Sequence, residues 1–157
     1  MTTLTCSPSP RSRAAFYNLS LKTTRAHLVR AVMEGVAYNC RWLLGCVESY
    51  IRRPFESLNF IGGGANSDLW CQIQADVLNR AIRQVKNPIE ANARGAAFLG
   101  AVAMGYMTWD EVPERIEIKA TYQPNPANKA IYDELFAEYL NIYKSNKKIY
   151  ARLNRQH

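Results

Sequence analysis

From Thr24 to Arg53 the apolar residues Val29, Val32, Val36, Cys40, Leu43, Val47 and Ile51 return every three or four positions, which predicts one long amphipathic helix closed by Pro54. Its polar positions include Arg30, Glu34, Arg41 and Glu48, and the Arg30–Glu34 spacing reads as a solvated ion pair. Leu58 to Ile61 is a short apolar run, a buried strand, and it passes directly into Gly62-Gly63-Gly64. A second helix begins near Ser67, whose hydroxyl suits an N-cap, with Leu69, Ile73, Val77 and Leu78 along its apolar side. Ala81 to Val85 is a second strand, ended by Asn87-Pro88. A third helix, from about Glu90 to Gly105, is crowded with Ala and Gly, which predicts close packing on a sheet. After Trp109 the chain is irregular, with an extended stretch over Ile116 to Tyr122. Asn125-Pro126 then opens a last helix, reaching about Arg155, that buries Ile131, Leu135, Phe136, Tyr139, Ile142 and Tyr143.

Strands connected through helices run parallel, so the fold class is α/β, with long helices packed on a small parallel sheet. Two strands are few for such a sheet, which normally has neighbours on both sides and helices on both faces. The chain therefore reads as an incomplete part of a larger α/β domain whose opening strands are absent.

Composition narrows the function classes. With 157 residues, 48% hydrophobic and 21% charged, the chain has the size and make-up of one globular domain. Charged and polar residues interrupt every apolar stretch before the roughly 18 to 20 residues that a membrane span requires. Residues 1–12 mix Thr, Ser and Pro without an apolar segment, which predicts a disordered or foreign leader ahead of a domain over 13–157. Cys6, Cys40, Cys46 and Cys71 have no paired spacing and read as reduced thiols of a cytoplasmic protein. His27 and His157 are too few for a metal site or a hydrolase triad. Part of the net charge of +7 comes from Lys144, Lys148, Arg152 and Arg155 at helical spacing. That stripe reads as the solvated face of the terminal helix, and nucleic acid is not the expected partner.

The glycine turn is the candidate chemistry. Unpaired amides at a helix N-terminus carry partial positive charge, and glycine lets a ligand approach the main chain, so strand, glycines and helix start form a cradle for phosphate or a nucleotide. The same residues equally serve a tight connection between a core strand and a core helix.

Gly62-Gly63-Gly64-Ala65-Asn66-Ser67, followed by Leu69-Trp70 and Gln72-Ile73-Gln74-Ala75-Asp76-Val77-Leu78, resembles the adenosine-binding signature of the FGGY carbohydrate kinases, especially the xylulokinase-like ones. Three further blocks agree in order and spacing: Asn18 to Asn39 ahead of the signature, Glu90 with Arg94 to Ala101 behind it, and Ile131 to Asn154 at the end. The resemblance covers roughly residues 13–155. It implies a ribonuclease H/actin-like ATPase domain, of which this chain is the C-terminal, nucleotide-binding portion, with ATP or ADP as ligand and Mg²⁺ needed only in the complete enzyme. It places Gly63 and Gly64 against the nucleotide, Gly62 in the turn, and Ser67 and Asn66 as polar neighbours. The family's catalytic Asp and phosphate loop lie in segments with no counterpart here, so the isolated chain is expected to be inactive. Asp68 and Asp76 are poor substitutes, the first sitting at a helix start and the second within the signature helix. Its partners are then the missing kinase half or, through an exposed sheet edge, a second copy.

Overall fold

The computed structural model describes Thr3–Leu4 and residues 14–154. Most of the expected leader lies outside the described residues, as do Cys6, Arg155 and His157. Thr3–Leu4, within that leader, form a short strand (β1) paired antiparallel with Phe16–Tyr17 (β2).

The long helix forms where its periodicity predicts it. Helix α1 spans Arg25–Ile51, and a capping box opens it: Thr24 Oγ1 accepts from the His27 amide while His27 Nδ1 accepts from the Thr24 amide. Arg52, left-handed at φ 55°, closes it just before Pro54. Strand β3 (Ser57–Phe60) leads through a 3-10 turn at Gly63–Asn66 into helix α2 (Asp68–Leu78), and strand β4 (Ala81–Val85) follows. Helix α3 covers Ala91–Ala103, strand β5 Ile118–Tyr122 and helix α4 Lys129–Leu153, the last preceded by a 3-10 turn that Asn125 caps.

β3 and β4 pair in parallel, as the connecting helix requires, with Leu58 opposite Ile82 and Phe60 opposite Gln84. The extended stretch after Trp109 returns along the far side of β4 as β5, antiparallel, giving the order β3-β4-β5. The sheet is thus a mixed sheet of three strands, one more than the helix-linked pair. β4 is its centre, and β3 keeps one edge free of any strand among the described residues.

The core lies between the sheet and helices α1, α2 and α4, around Tyr38, Ile73, Val77, Ile82, Tyr132 and Tyr139. Tyr38 meets the Tyr139 ring at 5.5 Å between centroids and the Tyr132 ring edge-on at 6.3 Å.

Two expectations fail here for related reasons. The residues that α1 buries are Ala31, Glu34, Gly35, Ala37 and Tyr38, whereas Val29, Val32, Cys40, Leu43 and Val47, the predicted core stripe, are exposed. The helix carries apolar residues on two opposite sides, and the small ones plus Tyr38 face α2 and α4. Glu34 is accordingly no solvated residue: it is 2% exposed, and its Oε1 accepts from Arg30 Nε at 2.8 Å and from the Tyr132 hydroxyl at 3.0 Å. Helix α3, in turn, buries no residue, and a Cβ added at Gly95 or Gly100 would meet nothing within 4 Å. Its small residues line an open face.

Candidate functional site

The glycine turn forms because one residue must reverse the chain between β3 and α2. Gly62 does so at φ +83°, a conformation that a side chain disfavours, and its amide donates to the Pro88 carbonyl at 2.8 Å. That bond ties the turn to the segment after β4, so two strand ends share one loop cluster. Gly63 is exposed, and a Cβ there would meet nothing, leaving its backbone open to approach from outside. Gly64 is glycine for another reason: a Cβ would press on Trp70 at 3.1 Å and Phe60 at 3.3 Å. Ser67 caps α2, its Oγ accepting from the Trp70 amide at 3.2 Å, while Asn66 stands exposed beside it.

Next to the turn lies an open hollow of about 290 Å³, lined by Ala65, Asn66, Gln84 and the run Val85 to Glu90, with Lys119 at its rim. Of the five residues read from the sequence, Asn66 borders this hollow, and Gly62, Gly63, Gly64 and Ser67 shape the loop that walls it.

The residues that hold this loop escaped the sequence reading. Gln84, on the central strand β4 and 1% exposed, donates from Nε2 to the Ala65 carbonyl at 2.7 Å and to Asp68 Oδ1 at 3.1 Å. Its Oε1 accepts from the Tyr122 hydroxyl at 3.2 Å. A hydrogen bond from Gln84, with the Tyr122 hydroxyl close by and the Lys119 ammonium at 3.2 Å, holds the Asp68 carboxyl below its ordinary range. Burial, with Asp68 beside it, pushes the Tyr122 phenol up to about 12. The only hint in the sequence was a polar residue at an inward position of a strand.

The two aspartates separate clearly. Asp68 is exposed and engaged by Gln84 and Lys119. Asp76 is buried and accepts from the Asn125 amide, Asn128 Nδ2 and Gln72 Nε2, each at 2.8 Å, which fastens α2 to the start of α4. Among the described residues, no three His, Cys, Asp or Glu side chains gather as a metal site, and Cys40, Cys46 and Cys71 are free thiols. No described helix is long and apolar enough to cross a membrane.

Residues 4–104 match the model of the FGGY family of carbohydrate kinases, C-terminal domain. Over 145 residues, 90% of this chain, the sequence is 34% identical to xylulose kinase of Staphylococcus epidermidis, of which it covers 28%. It is 32% identical over 138 residues to glycerol kinase of Acinetobacter baylyi, again covering 28% of the relative. The crystal structure of xylulose kinase from Rhodospirillum rubrum superposes with a TM-score of 0.77 and 30% identity, over 94% of this chain and 31% of that one. The chain therefore spans less than a third of the relatives it matches. A glycine turn at a helix start beside a parallel strand pair, the matching family model and the shared fold together place this chain in the FGGY family of carbohydrate kinases, as its C-terminal, actin-like ATPase-type domain.

Proposed function

We propose that this chain is the nucleotide-binding portion of an ATP-dependent sugar kinase that acts on a ketose such as xylulose, and that in isolation it binds nucleotide without phosphorylating a sugar. The observation that carries the reading is an open hollow that Ala65 and Asn66 of the glycine loop line, with the exposed Gly63 backbone in the same loop ahead of α2. Bare main chain admits a flat or phosphorylated ligand closely, and the α2 dipole favours negative charge at that end. In this reading Gly62, Gly63 and Gly64 form the loop against the nucleotide, and Asn66 and Ser67 border it.

The side chains present suit binding better than chemistry. Phosphoryl transfer needs a carboxylate base at the sugar hydroxyl and acids that hold Mg²⁺. Asp76 is committed to three hydrogen bonds within the fold, and Asp68 to Gln84 and Lys119. In this reading the base, the acids and the sugar contacts belong to the part of the relatives that this chain does not span. Calorimetric titration of the 157-residue chain with ADP tests binding, and an assay with ATP, Mg²⁺ and a panel of pentuloses tests inactivity. The expected result is heat of ADP binding without turnover; sugar phosphorylation by the isolated chain would overturn the second half of the reading.

The apolar faces favour one partner class. The free edge of β3 is flanked by a hollow against Leu43, Val47 and Leu58 on one side and by another against Ile61, Gly95 and Phe98 on the other. A strand edge with no neighbour among the described residues, set between two apolar grooves, fits further sheet from the rest of a kinase, or a second copy in its place. Light scattering separates the two, since the first predicts a monomer for the chain alone and the second a dimer.

A further inference from the structure

We infer that Gln84 is a positioning residue for nucleotide binding: its buried amide fixes the carbonyl of Ala65, and with it the glycine turn, to the centre of the sheet. The inference rests on the nucleotide reading of the Gly62–Ser67 loop. Both Nε2 hydrogens are used, one on the Ala65 carbonyl at 2.7 Å and one on Asp68 Oδ1 at 3.1 Å, and Oε1 is held by the Tyr122 hydroxyl at 3.2 Å. Such an amide has neither a second rotamer nor a flipped state that keeps the same partners. It therefore locks three pieces of chain at one point: the turn through Ala65, the first residue of α2 through Asp68, and β5 through Tyr122. Ala65 is fully buried and Gln84 lines the hollow beside it, so this contact sets where the loop backbone stands against that space.

The chemistry of replacement makes the role separable from packing. Leucine at this position has similar bulk, but it leaves the buried Ala65 carbonyl with only the weak Cys71 thiol, 3.8 Å away, as donor. Glutamate restores the shape and, when protonated, a hydroxyl that donates to Ala65. When ionised it sets a second carboxylate against Asp68 and a carbonyl oxygen. Burial and Asp68 both raise the pKa of that new carboxyl, so the donating form dominates toward acid pH.

The test is ADP titration of wild type, Gln84→Leu, Gln84→Glu and Tyr122→Phe, with hydrogen exchange of the Gly63–Ser67 amides measured without nucleotide. Gln84→Leu is expected to weaken ADP about tenfold and to speed exchange in the loop, as loss of one buried hydrogen bond implies. Gln84→Glu is expected to be weak at pH 8 and to recover toward wild type near pH 5, and Tyr122→Phe to fall between. A purely structural role predicts lower melting temperatures without pH-dependent recovery of affinity, and that result overturns the inference, as does wild-type affinity in Gln84→Leu. If wild type itself binds no ADP, the nucleotide reading fails. Unchanged loop exchange in Gln84→Leu would then sink the positioning role separately.

Discussion

The two sides of α1 present opposite solutions to the same sequence pattern. The inner side packs on α2 and α4 with most of its polar groups matched, the buried Tyr38 hydroxyl being the exception among the described residues: Arg30, Glu34 and Tyr132 form a closed triangle, with Arg30 Nη2 donating to the Tyr132 hydroxyl at 2.9 Å. Arg41 pairs with Asp133 and lies 4.6 Å from the Phe136 ring centre, and Glu48 bridges Arg80 and the Phe55 amide. The outer side has the larger aliphatic residues left open by the described elements around Leu43, which is 66% exposed, and α3 repeats this with Leu99 at 58%. Near that outer side Gln74 Nε2 is buried without a hydrogen-bond partner among the described residues, while Gln74 borders the hollow against β3. A helix apolar on two sides is built for the interior of a larger body. The difference teaches that the packing of this chain is concentrated in the α1–α2–α4 cluster, while the apolar residues on the β3 side are covered by none of the described elements.

That comparison can be broken by mutation. Tyr139→Ala, in the middle of the inner cluster, is expected to cost about 3 to 5 kcal/mol and to leave little cooperative unfolding by urea. Asp76→Ala removes two hydrogen bonds between α2 and the start of α4, and a third within α2, and should cost about 2 kcal/mol in the same measurement. Asp133→Asn probes the rim of the cluster. Lys129 and then Arg41 hold the Asp133 carboxyl below its ordinary value, so its contribution is complete above about pH 3.9 and fades as the pH falls through the lower, folded value. Because Asp133 is partly exposed, the wild type should lead by less than about 1 kcal/mol at pH 7, and thermal melts should converge as the pH falls through that lower, folded value. The smallest effect belongs to the outer side: Leu43→Ser should change unfolding by no more than about 0.5 kcal/mol while lowering any concentration-dependent light scattering. A loss from Leu43→Ser as large as that from Tyr139→Ala would show that the outer side is covered in solution, and the contrast would fall.

Much of the fold was legible because local rules and the tertiary structure agree. Thr24, Ser67 and Asn125 cap the elements they precede, Ala81–Val85 is a strand over the residues read for it, and the glycines fall at the turn. Periodicity identified α1 as amphipathic but could not say which of its two apolar sides is inside. That choice depends on α4, which arrives a hundred residues later and brings Tyr132 against Glu34. For the same reason Glu34 read as solvated, since an Arg four residues away explains a carboxylate without any need for burial. The small residues of α3 predict a close neighbour, and none of the described elements fills that role.

The site divides along the same line. The residue types of the loop, from Gly62 to Ser67, were set by the sequence, because positive φ, an open backbone and an N-cap are local demands that few residues satisfy. Only the tertiary structure decided that Gln84 and Tyr122 hold that loop, that Gly64 is small to admit Trp70, and that Asp76 is a fastener. These are contacts between segments far apart in the chain, and no local pattern encodes a hydrogen bond whose partner arrives through the fold.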